Sequence, residues 1–253
     1  NHNQELETAY KLIDAAKNAG ADSVKIQHYM PQDMVIIPND FIPVGTGTPW
    51  DGQWLSDIYN KAYTPAWMVE AMFRYAKRKD IPMFSSVFSE NGLELLEKLG
   101  CPCYKIASFE NNDYELINKV SKTGKPIIVS LGTIKDIDGL ADIKSAVEYK
   151  DRLTLMHCIS AYPTYDNEAN IHRIPMLRSI TECPVGFSDH TNSETAAMAA
   201  TVLGATMIEK HLIHSSDMNT LDSKFSVDET QFKYYVKRIK DIYNTLYASH
   251  DPQ

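Results

Sequence analysis

Residues 104–130 read YKIASFENNDYELINKVSKTGKPIIVS. An apolar run at 104–107 is followed by a helical repeat of apolar residues at 114–120 and by a second apolar run at 127–130. Two strands with a helix between them pair in parallel, because a tight hairpin cannot connect them. The stretch therefore predicts one strand–helix–strand unit of an α/β protein.

The same alternation extends along the whole chain. Strand-like runs lie at 24–27, 83–87, 104–107, 127–130, 153–157, 185–187 and 207–208. Helical patterns lie at 6–16, 64–76, 93–99, 114–120, 137–147 and 195–203, with a weaker one at 169–180 and a last one that opens on a predicted capping box, Ser226-Val-Asp-Glu229. The segment 30–63 shows no clear period. Alternating strands and helices predict a parallel sheet covered by helices.

The leading helix has no strand before it. We therefore expect the first strand of the sheet to lie upstream of Asn1, which gives eight strand–helix units and an α/β TIM (β/α)8 barrel whose first strand is missing from this chain. A doubly wound open sheet is the alternative, but its usual glycine-rich G-x-G-x-x-G turn is absent. A length of 253 residues fits a single barrel domain over 1–253.

The composition excludes several classes of protein. Hydrophobic residues make up 43% of the chain and charged residues 23%, which excludes a disordered chain. A formal net charge of −8 disfavours nucleic acid as a partner, and no apolar run approaches the ~20 residues of a membrane span. The four cysteines do not form a disulfide scaffold, so we expect a reducing, cytoplasmic location.

Polar side chains end nearly every predicted strand. Barrel enzymes carry their chemistry at these carboxyl ends, so this recurrence predicts a polar cavity. The residues at these ends include Lys25, Gln27, Ser86, Lys105, Ser108, Ser130, Ser160, Ser188, His190, Glu209 and His211.

The two lysines lie inside apolar runs. An inward-pointing lysine needs a partner or an anion, so Lys25 and Lys105 predict a small cationic pocket for a phosphate or carboxylate. Outward snorkelling is the alternative for each lysine. The serines at the strand ends are either turn formers or donors to phosphate oxygens.

Two histidines end consecutive strands. His190 and His211 can converge there, and imidazoles suit Mn²⁺, Fe²⁺ or Zn²⁺, although a structural role for each is the alternative. His157 is expected to orient its neighbours from within the barrel, and Lys210 is expected to face the helix layer. Asp222 lies in a polar loop that either contacts substrate hydroxyls or is simply solvated.

Short motifs occur in a fixed order over essentially the whole chain, and together they resemble the sialic acid synthase family. The motifs are Asn1-His2-Asn3, Lys25-Ile-Gln27, Phe84-Ser-Ser86, Tyr104-Lys-Ile-Ala-Ser108, Ser130 before Gly132, His157-Cys158 with Tyr162-Pro-Thr164, Ser188-Asp-His190 and Ile208-Glu-Lys-His211. Finer features resemble the pseudaminic acid synthases more than the N-acetylneuraminate or legionaminate synthases. They are Trp50-Asp-Gly52 with Leu55 and Tyr59, Thr64-Pro65 with Trp67, Lys105-Ile-Ala-Ser-Phe-Glu110, and Asp222-Ser223 with Phe225-Ser226. Spore-coat polysaccharide synthases are also similar.

The resemblance implies a transferase that joins phosphoenolpyruvate to the open-chain aldehyde of an acetamido-6-deoxyhexose, giving pseudaminic acid and phosphate. It implies phosphoenolpyruvate binding at Lys25, Ser86, Lys105, Ser108, Ser130 and Ser188, and metal binding, usually of Mn²⁺, at His190 and His211. It places Gln27, Ser160, Tyr162 and Asp222 near the metal or the sugar. It also implies a homodimer and a C-terminal antifreeze-like domain, which is absent from this chain.

Two other classes of function stay open. One is a different barrel enzyme that acts on a phosphorylated substrate, such as an aldolase with a lysine nucleophile. The other is a non-catalytic barrel that has kept a sugar or phosphate site. Intact Lys25, Lys105, His190 and His211 argue against the second.

Overall fold

The computed structural model describes residues 1–35, 50–134 and 136–247. Seven parallel strands form one sheet in which each strand pairs with the next along the chain. They are β1 Val24–Gln27, β2 Met83–Ser86, β3 Tyr104–Ile106, β4 Ile127–Ser130, β5 Leu153–His157, β6 Val185–Asp189 and β7 Ile208–Lys210. The sequential order of α/β barrel strands predicted from the sequence is confirmed.

Helices connect the strands. They are α1 Leu6–Asn18, α2 Pro31–Met34, α3 Leu55–Ala62, α4 Ala66–Arg78, α5 Glu90–Lys98, α6 Tyr114–Ser121, α7 Ile137–Ala146, α8 Arg173–Thr181, α9 Thr195–Val202 and α10 Glu229–Tyr247. A helix between consecutive strands gives the crossover that parallel pairing requires.

The hydrophobic core lies between the sheet and the helices. Strand register aligns Ile106 with Val129 and Val129 with Leu155, and all three side chains are buried. Helices cover this face with buried apolar residues such as Ile117 on α6 and Ile143 on α7. Because side chains alternate along a strand, the opposite face of the sheet is left for the polar strand-end residues.

The structure corrects four local predictions. Two helices, α2 and α3, lie within 30–63, where no period was visible. The capping box of α10 is Asp228 with Gln231, because the backbone amide of each donates to the side-chain oxygen of the other, and it is not Ser226 with Glu229. The weak helix predicted at 169–180 begins at Arg173, and its first turn tolerates Pro175. His157 faces the helix layer, where its ring nitrogen Nε2 lies 2.8 Å from the Ala169 carbonyl oxygen.

Among the described residues, β1 and β7 are the outer strands of the sheet and do not pair with each other. Nearby, α1 and α10 are in contact, so the helix layer continues past this edge. An eighth strand in the gap stays a prediction. No helix of the described ranges combines the length and the apolar character that a bilayer span requires.

Candidate active site

Strand register places the predicted site residues on one face of the sheet. Gln27 is aligned with Ser86, and Ser86 with Lys105. On the far side of the sheet, Ser188 is aligned with Glu209. Aligned residues of parallel strands point to the same side, so these side chains all point into the barrel.

The barrel interior holds a cavity of about 1100 Å³ that reaches the open edge between β1 and β7. Of the predicted site residues, Ser86 lies outside the lining and is fully buried. The others line the cavity: Lys25, Gln27, Lys105, Ser108, Ser130, Ser160, Tyr162, Ser188, His190, His211 and Asp222.

Two ammonium groups meet one carboxylate in this cavity. Nζ of Lys105 lies 2.5 Å from Oε1 of Glu209, and Nζ of Lys25 lies 3.3 Å from the same oxygen. Burial raises the pKa of Glu209, but the two ammonium groups outweigh it and hold that pKa far below its ordinary value. Burial lowers the pKa of Lys25, and the Glu209 carboxylate opposes this change. The two ammonium groups and the one carboxylate together carry a net charge of +1, which favours the binding of an anion.

Several serine hydroxyls in this region have no hydrogen-bond partner. Among the described residues, the buried Oγ atoms of Ser86, Ser130 and Ser160 are unpaired. Buried hydroxyls normally find a partner, because an unpaired one loses its hydration without compensation. Two of these unpaired hydroxyls, those of Ser130 and Ser160, line the cavity together with the two lysines, which indicates a site for an oxygen-rich ligand.

Ser108 and Ser188 are already partly engaged. Oγ of Ser108 accepts a hydrogen bond from the Gly132 amide at 3.2 Å and lies 3.1 Å from Sγ of Cys158. A Cβ at Gly132 would lie 2.8 Å from that serine oxygen, so a larger residue would force the neighbouring side chains to shift. Oγ of Ser188 donates to Oε1 of Glu209 at 3.1 Å and ties this serine to the lysine cluster.

The two predicted histidines lie side by side, with ring centroids 5.7 Å apart. Nδ1 of His190 lies 2.8 Å from the Ile159 carbonyl oxygen, so it carries the proton and leaves Nε2 as the basic nitrogen. Burial lowers the pKa of His190 to about 3, and repulsion from His211 adds to this. His190 is therefore neutral at physiological pH, as a metal ligand must be.

His211 is oriented by a carboxylate. Its Nδ1 lies 3.5 Å from Oδ2 of Asp222. Burial raises the pKa of Asp222, but its interaction with His211 outweighs burial and brings the pKa below its ordinary value. Asp222 therefore stays ionised beside Nδ1 of His211, and both residues line the cavity.

These donors fit a divalent metal in one respect. Each ring has its Nδ1 held by an oxygen, the arrangement that usually orients metal-binding imidazoles. Within 1–35, 50–134 and 136–247, no group of three or more His, Cys, Asp or Glu side chains is placed to hold a metal. A metal held by His190 and His211 would need further ligands beyond these two imidazoles.

Aromatic side chains form one wall of the cavity. The ring centroids of Tyr162 and His190 are 4.4 Å apart, and Phe225 lies 5.0 Å from both Tyr162 and His211. Burial raises the pKa of Tyr162 well above its ordinary value, so its hydroxyl stays protonated. This wall offers an apolar surface beside the polar floor.

Sequence reasoning missed three residues of this site as functional candidates. Glu209 was visible as a polar strand end, and alternation from His211 would have placed it on the inner face. Phe225 was visible only in the resemblance motif that it shares with Asp222 and Ser223. Glu110 lies in a turn of 3-10 helix, Ser108–Glu110, where burial raises its pKa to about 7 and one carboxyl oxygen has no partner.

Known proteins share this sequence and this fold. Residues 12–250 match the profile of the NeuB family. The pseudaminic acid synthase of Helicobacter pylori is 42% identical over 242 residues, which cover 95% of this chain and 71% of that protein. A pseudaminic acid synthase of Campylobacter jejuni is 36% identical over 248 residues, covering 97% of this chain and 72% of that protein.

Solved structures agree with the sequence relatives. An N-acetylneuraminic acid synthetase from Leptospira borgpetersenii superposes with a TM-score of 0.86 at 25% identity, covering 100% of this chain and 84% of that one. The match to the family profile spans almost the whole barrel and includes every strand end that carries a site residue. Residues 1–11, at the start of the chain, lie outside the match. The chain that builds this cavity belongs to the NeuB family.

Proposed function

We propose that this chain is the catalytic barrel of a nonulosonic acid synthase that makes pseudaminic acid. The reaction joins phosphoenolpyruvate to the open-chain aldehyde of 2,4-diacetamido-2,4,6-trideoxy-L-altrose and releases phosphate. The relatives named pseudaminic acid synthase support this choice of product.

The observation that carries the proposal is the cation pair beside unpaired hydroxyls. Phosphoenolpyruvate brings a carboxylate and a phosphate, so it needs several positive charges and many hydrogen-bond donors. Lys25 and Lys105 supply the charges inside a chain whose net charge is −8. Ser108, Ser130 and Ser188 line the same cavity and supply hydroxyl donors, and Ser86 lies behind this lining, next to Lys105 in strand register.

The lysines and serines act by holding the anion in one orientation. Fixed donors and charges cost no reorganisation during the reaction, and they place C3 of phosphoenolpyruvate against the aldehyde carbon. A bond forms between these two carbons, and positive charge develops at C2. Water adds at C2, and the bond from C2 to the phosphate oxygen breaks, which gives the keto acid and inorganic phosphate.

His190 and His211 are the residues that would hold a divalent metal, Mn²⁺ by family resemblance. When bound, such a metal supplies Lewis acidity to the aldehyde oxygen. Asp222 orients the His211 ring, and we assign contacts with the sugar to Gln27, Ser160 and Tyr162, which line the same cavity.

The test is phosphate release from phosphoenolpyruvate with Mn²⁺, measured on protein expressed from its full reading frame. We expect release with 2,4-diacetamido-2,4,6-trideoxy-L-altrose. Release with N-acetylmannosamine or with the legionaminate precursor alone would reassign the sugar. Absence of release with every acetamido sugar would refute the synthase function.

Borohydride trapping separates the synthase from an aldolase. A Schiff-base aldolase needs a neutral lysine, whereas both lysines here lie against the ionised Glu209. We therefore expect no lysine to be reduced onto substrate when the protein is treated with borohydride. A covalent adduct at Lys25 or Lys105, seen by mass spectrometry, would favour the aldolase.

The organisation of the whole protein is a further part of the proposal. The curated relative from H. pylori is longer than its aligned part, since the alignment covers 71% of it. We infer a homodimer with a C-terminal antifreeze-like domain from family resemblance. Analytical ultracentrifugation of the full reading frame tests the dimer, and a monomer at micromolar concentration would refute it.

A further inference from the structure

A buried ion pair joins β6 to β7. Nζ of Lys210 lies 3.0 Å from Oδ2 of Asp189, and the two side chains are 1% and 0% exposed. These two residues are aligned in the sheet. Lys210 borders the cavity where it reaches the open edge of the sheet, whereas Asp189 lies outside the lining.

Every oxygen of the Asp189 carboxylate is engaged. Oδ2 also accepts a hydrogen bond from the Tyr235 hydroxyl at 2.8 Å, and Oδ1 accepts one from the Thr191 amide at 2.8 Å. Lys210 also donates to the Thr191 carbonyl oxygen. The Lys210 ammonium lies 5.5 Å from the centroid of the Tyr235 ring. Asp189, Lys210 and Tyr235, which we call the rear triad, therefore form one saturated network.

The rear triad is interleaved with the cavity residues along the chain. Asp189 lies between Ser188 and His190, and Lys210 lies between Glu209 and His211. Side chains alternate along a strand, so the outward residue fixes the depth and angle of the two inward residues beside it. A slip of one residue between β6 and β7 would turn one histidine of the pair away from the cavity.

Tyr235 adds a third element to this arrangement. It lies on α10 and is buried, so the helix is anchored to the end of β6 through one hydroxyl. The neighbouring Tyr234 is 52% exposed and lies outside the network. Tyr235 is therefore the residue through which α10 is held against the end of β6, next to His190.

We propose that Asp189, Lys210 and Tyr235 are positioning residues, which lock the register of β6 and β7 and so hold His190 and His211 at their metal-binding separation. The role rests on the proposed function, because the histidines matter as a pair only if they hold the metal. The rear triad touches neither substrate nor metal, and it acts through the backbone that it shares with Ser188, His190, Glu209 and His211.

The test compares Tyr235→Phe with Tyr234→Phe, which removes a hydroxyl one position away. Three quantities are measured on each protein: the melting temperature, the Kd for Mn²⁺ by electron paramagnetic resonance, and the imidazole NMR signals of His190 and His211 without metal. We expect Tyr235→Phe to fold, to bind Mn²⁺ about tenfold more weakly, and to shift both imidazole signals. Tyr234→Phe should match the unmodified protein in all three.

A second variant covers the ion pair. Asp189→Asn combined with Lys210→Met removes both charges and avoids leaving one buried alone. We expect this double variant to fold and to weaken Mn²⁺ binding at least as much as Tyr235→Phe. A folded Tyr235→Phe protein with unchanged imidazole signals and an unchanged Kd would overturn the positioning role. Absence of phosphate release in the unmodified protein would instead refute the synthase function. The NMR comparison would still test the positioning role, because it needs neither substrate nor metal.

Discussion

The Lys105 ammonium on β3 and the Glu209 carboxylate on β7 are 2.5 Å apart, although three strands separate β3 from β7 in the sheet. The two groups can meet only across the interior of a curled sheet. Their contact shows that the sheet closes far enough to bring its two halves onto one site. The contact also places the Lys105 ammonium beside β7, the strand that leads to His211.

Removal of the Lys105 charge tests the anion site. In Lys105→Met, we expect kcat/KM for phosphoenolpyruvate to fall about 100-fold, because a charged hydrogen bond to the anion is lost. Steady-state phosphate release measures the change. Lys98→Met removes an exposed lysine on α5 and should leave kcat/KM unchanged. An equal loss in both variants would show that the effect does not come from the site.

Two buried serines should respond to substitution in opposite ways. Oγ of Ser130 is unpaired, so Ser130→Ala should change the free energy of unfolding by less than about 0.5 kcal/mol while raising KM for phosphoenolpyruvate. Oγ of Ser85 donates to the Ser86 carbonyl oxygen at 2.8 Å, so Ser85→Ala should cost about 1 kcal/mol and leave KM unchanged. Urea unfolding and steady-state kinetics measure the two quantities. The opposite pattern would remove Ser130 from the site.

Asp222 should control metal affinity through His211. In Asp222→Asn, the carboxylate that holds Nδ1 of His211 is lost, and we expect the Kd for Mn²⁺ to rise about tenfold. Isothermal titration calorimetry measures the Kd. Asp217→Asn is the matched control, because Asp217 lies in the same loop and its carboxylate accepts a hydrogen bond from Ser215. An unchanged Kd in Asp222→Asn would argue against His211 as a ligand.

Glu110 should make stability fall as pH rises. Burial raises its pKa from 4.5 to about 7, so between these values the folded protein holds a proton that the unfolded chain has released. The stabilisation is complete below about pH 4.5 and is lost as pH rises to 7, with a total of about 1–3 kcal/mol for this partly exposed group. Glu110→Gln should flatten the dependence, measured by urea unfolding from pH 5 to pH 8. Glu94→Gln on the surface should retain it, and a slope that persists in Glu110→Gln would exclude this carboxyl as its source.

Most of the fold followed from local patterns. Each strand is a short apolar run between helical repeats, so the seven strands and their parallel order were predictable from period and alternation alone. The short helices α2 and α3 were missed, because a four-residue helix has too few turns for a visible repeat, and the eight residues of α3 place one fully buried side chain, Ile58.

The site was predictable where chemistry and strand position coincide. Lys25 and Lys105 stood out because charged residues interrupt apolar strands, and the histidines stood out because they end consecutive strands. The pairing of both lysines with one carboxylate depends on closure of the sheet, which no local pattern reports. Glu110 was overlooked as a site residue for a similar reason, since its raised pKa comes from burial by distant parts of the chain.

Gly132 sets a limit on how this barrel can diverge. A Cβ there would enter the space shared by Oγ of Ser108, Sγ of Cys158 and Oγ of Ser160. A side chain acquired at this position would have to displace these groups or take space from the cavity floor. Both lysines and both histidines could then persist in a barrel whose anion site has changed shape, so the charged residues alone do not define this site.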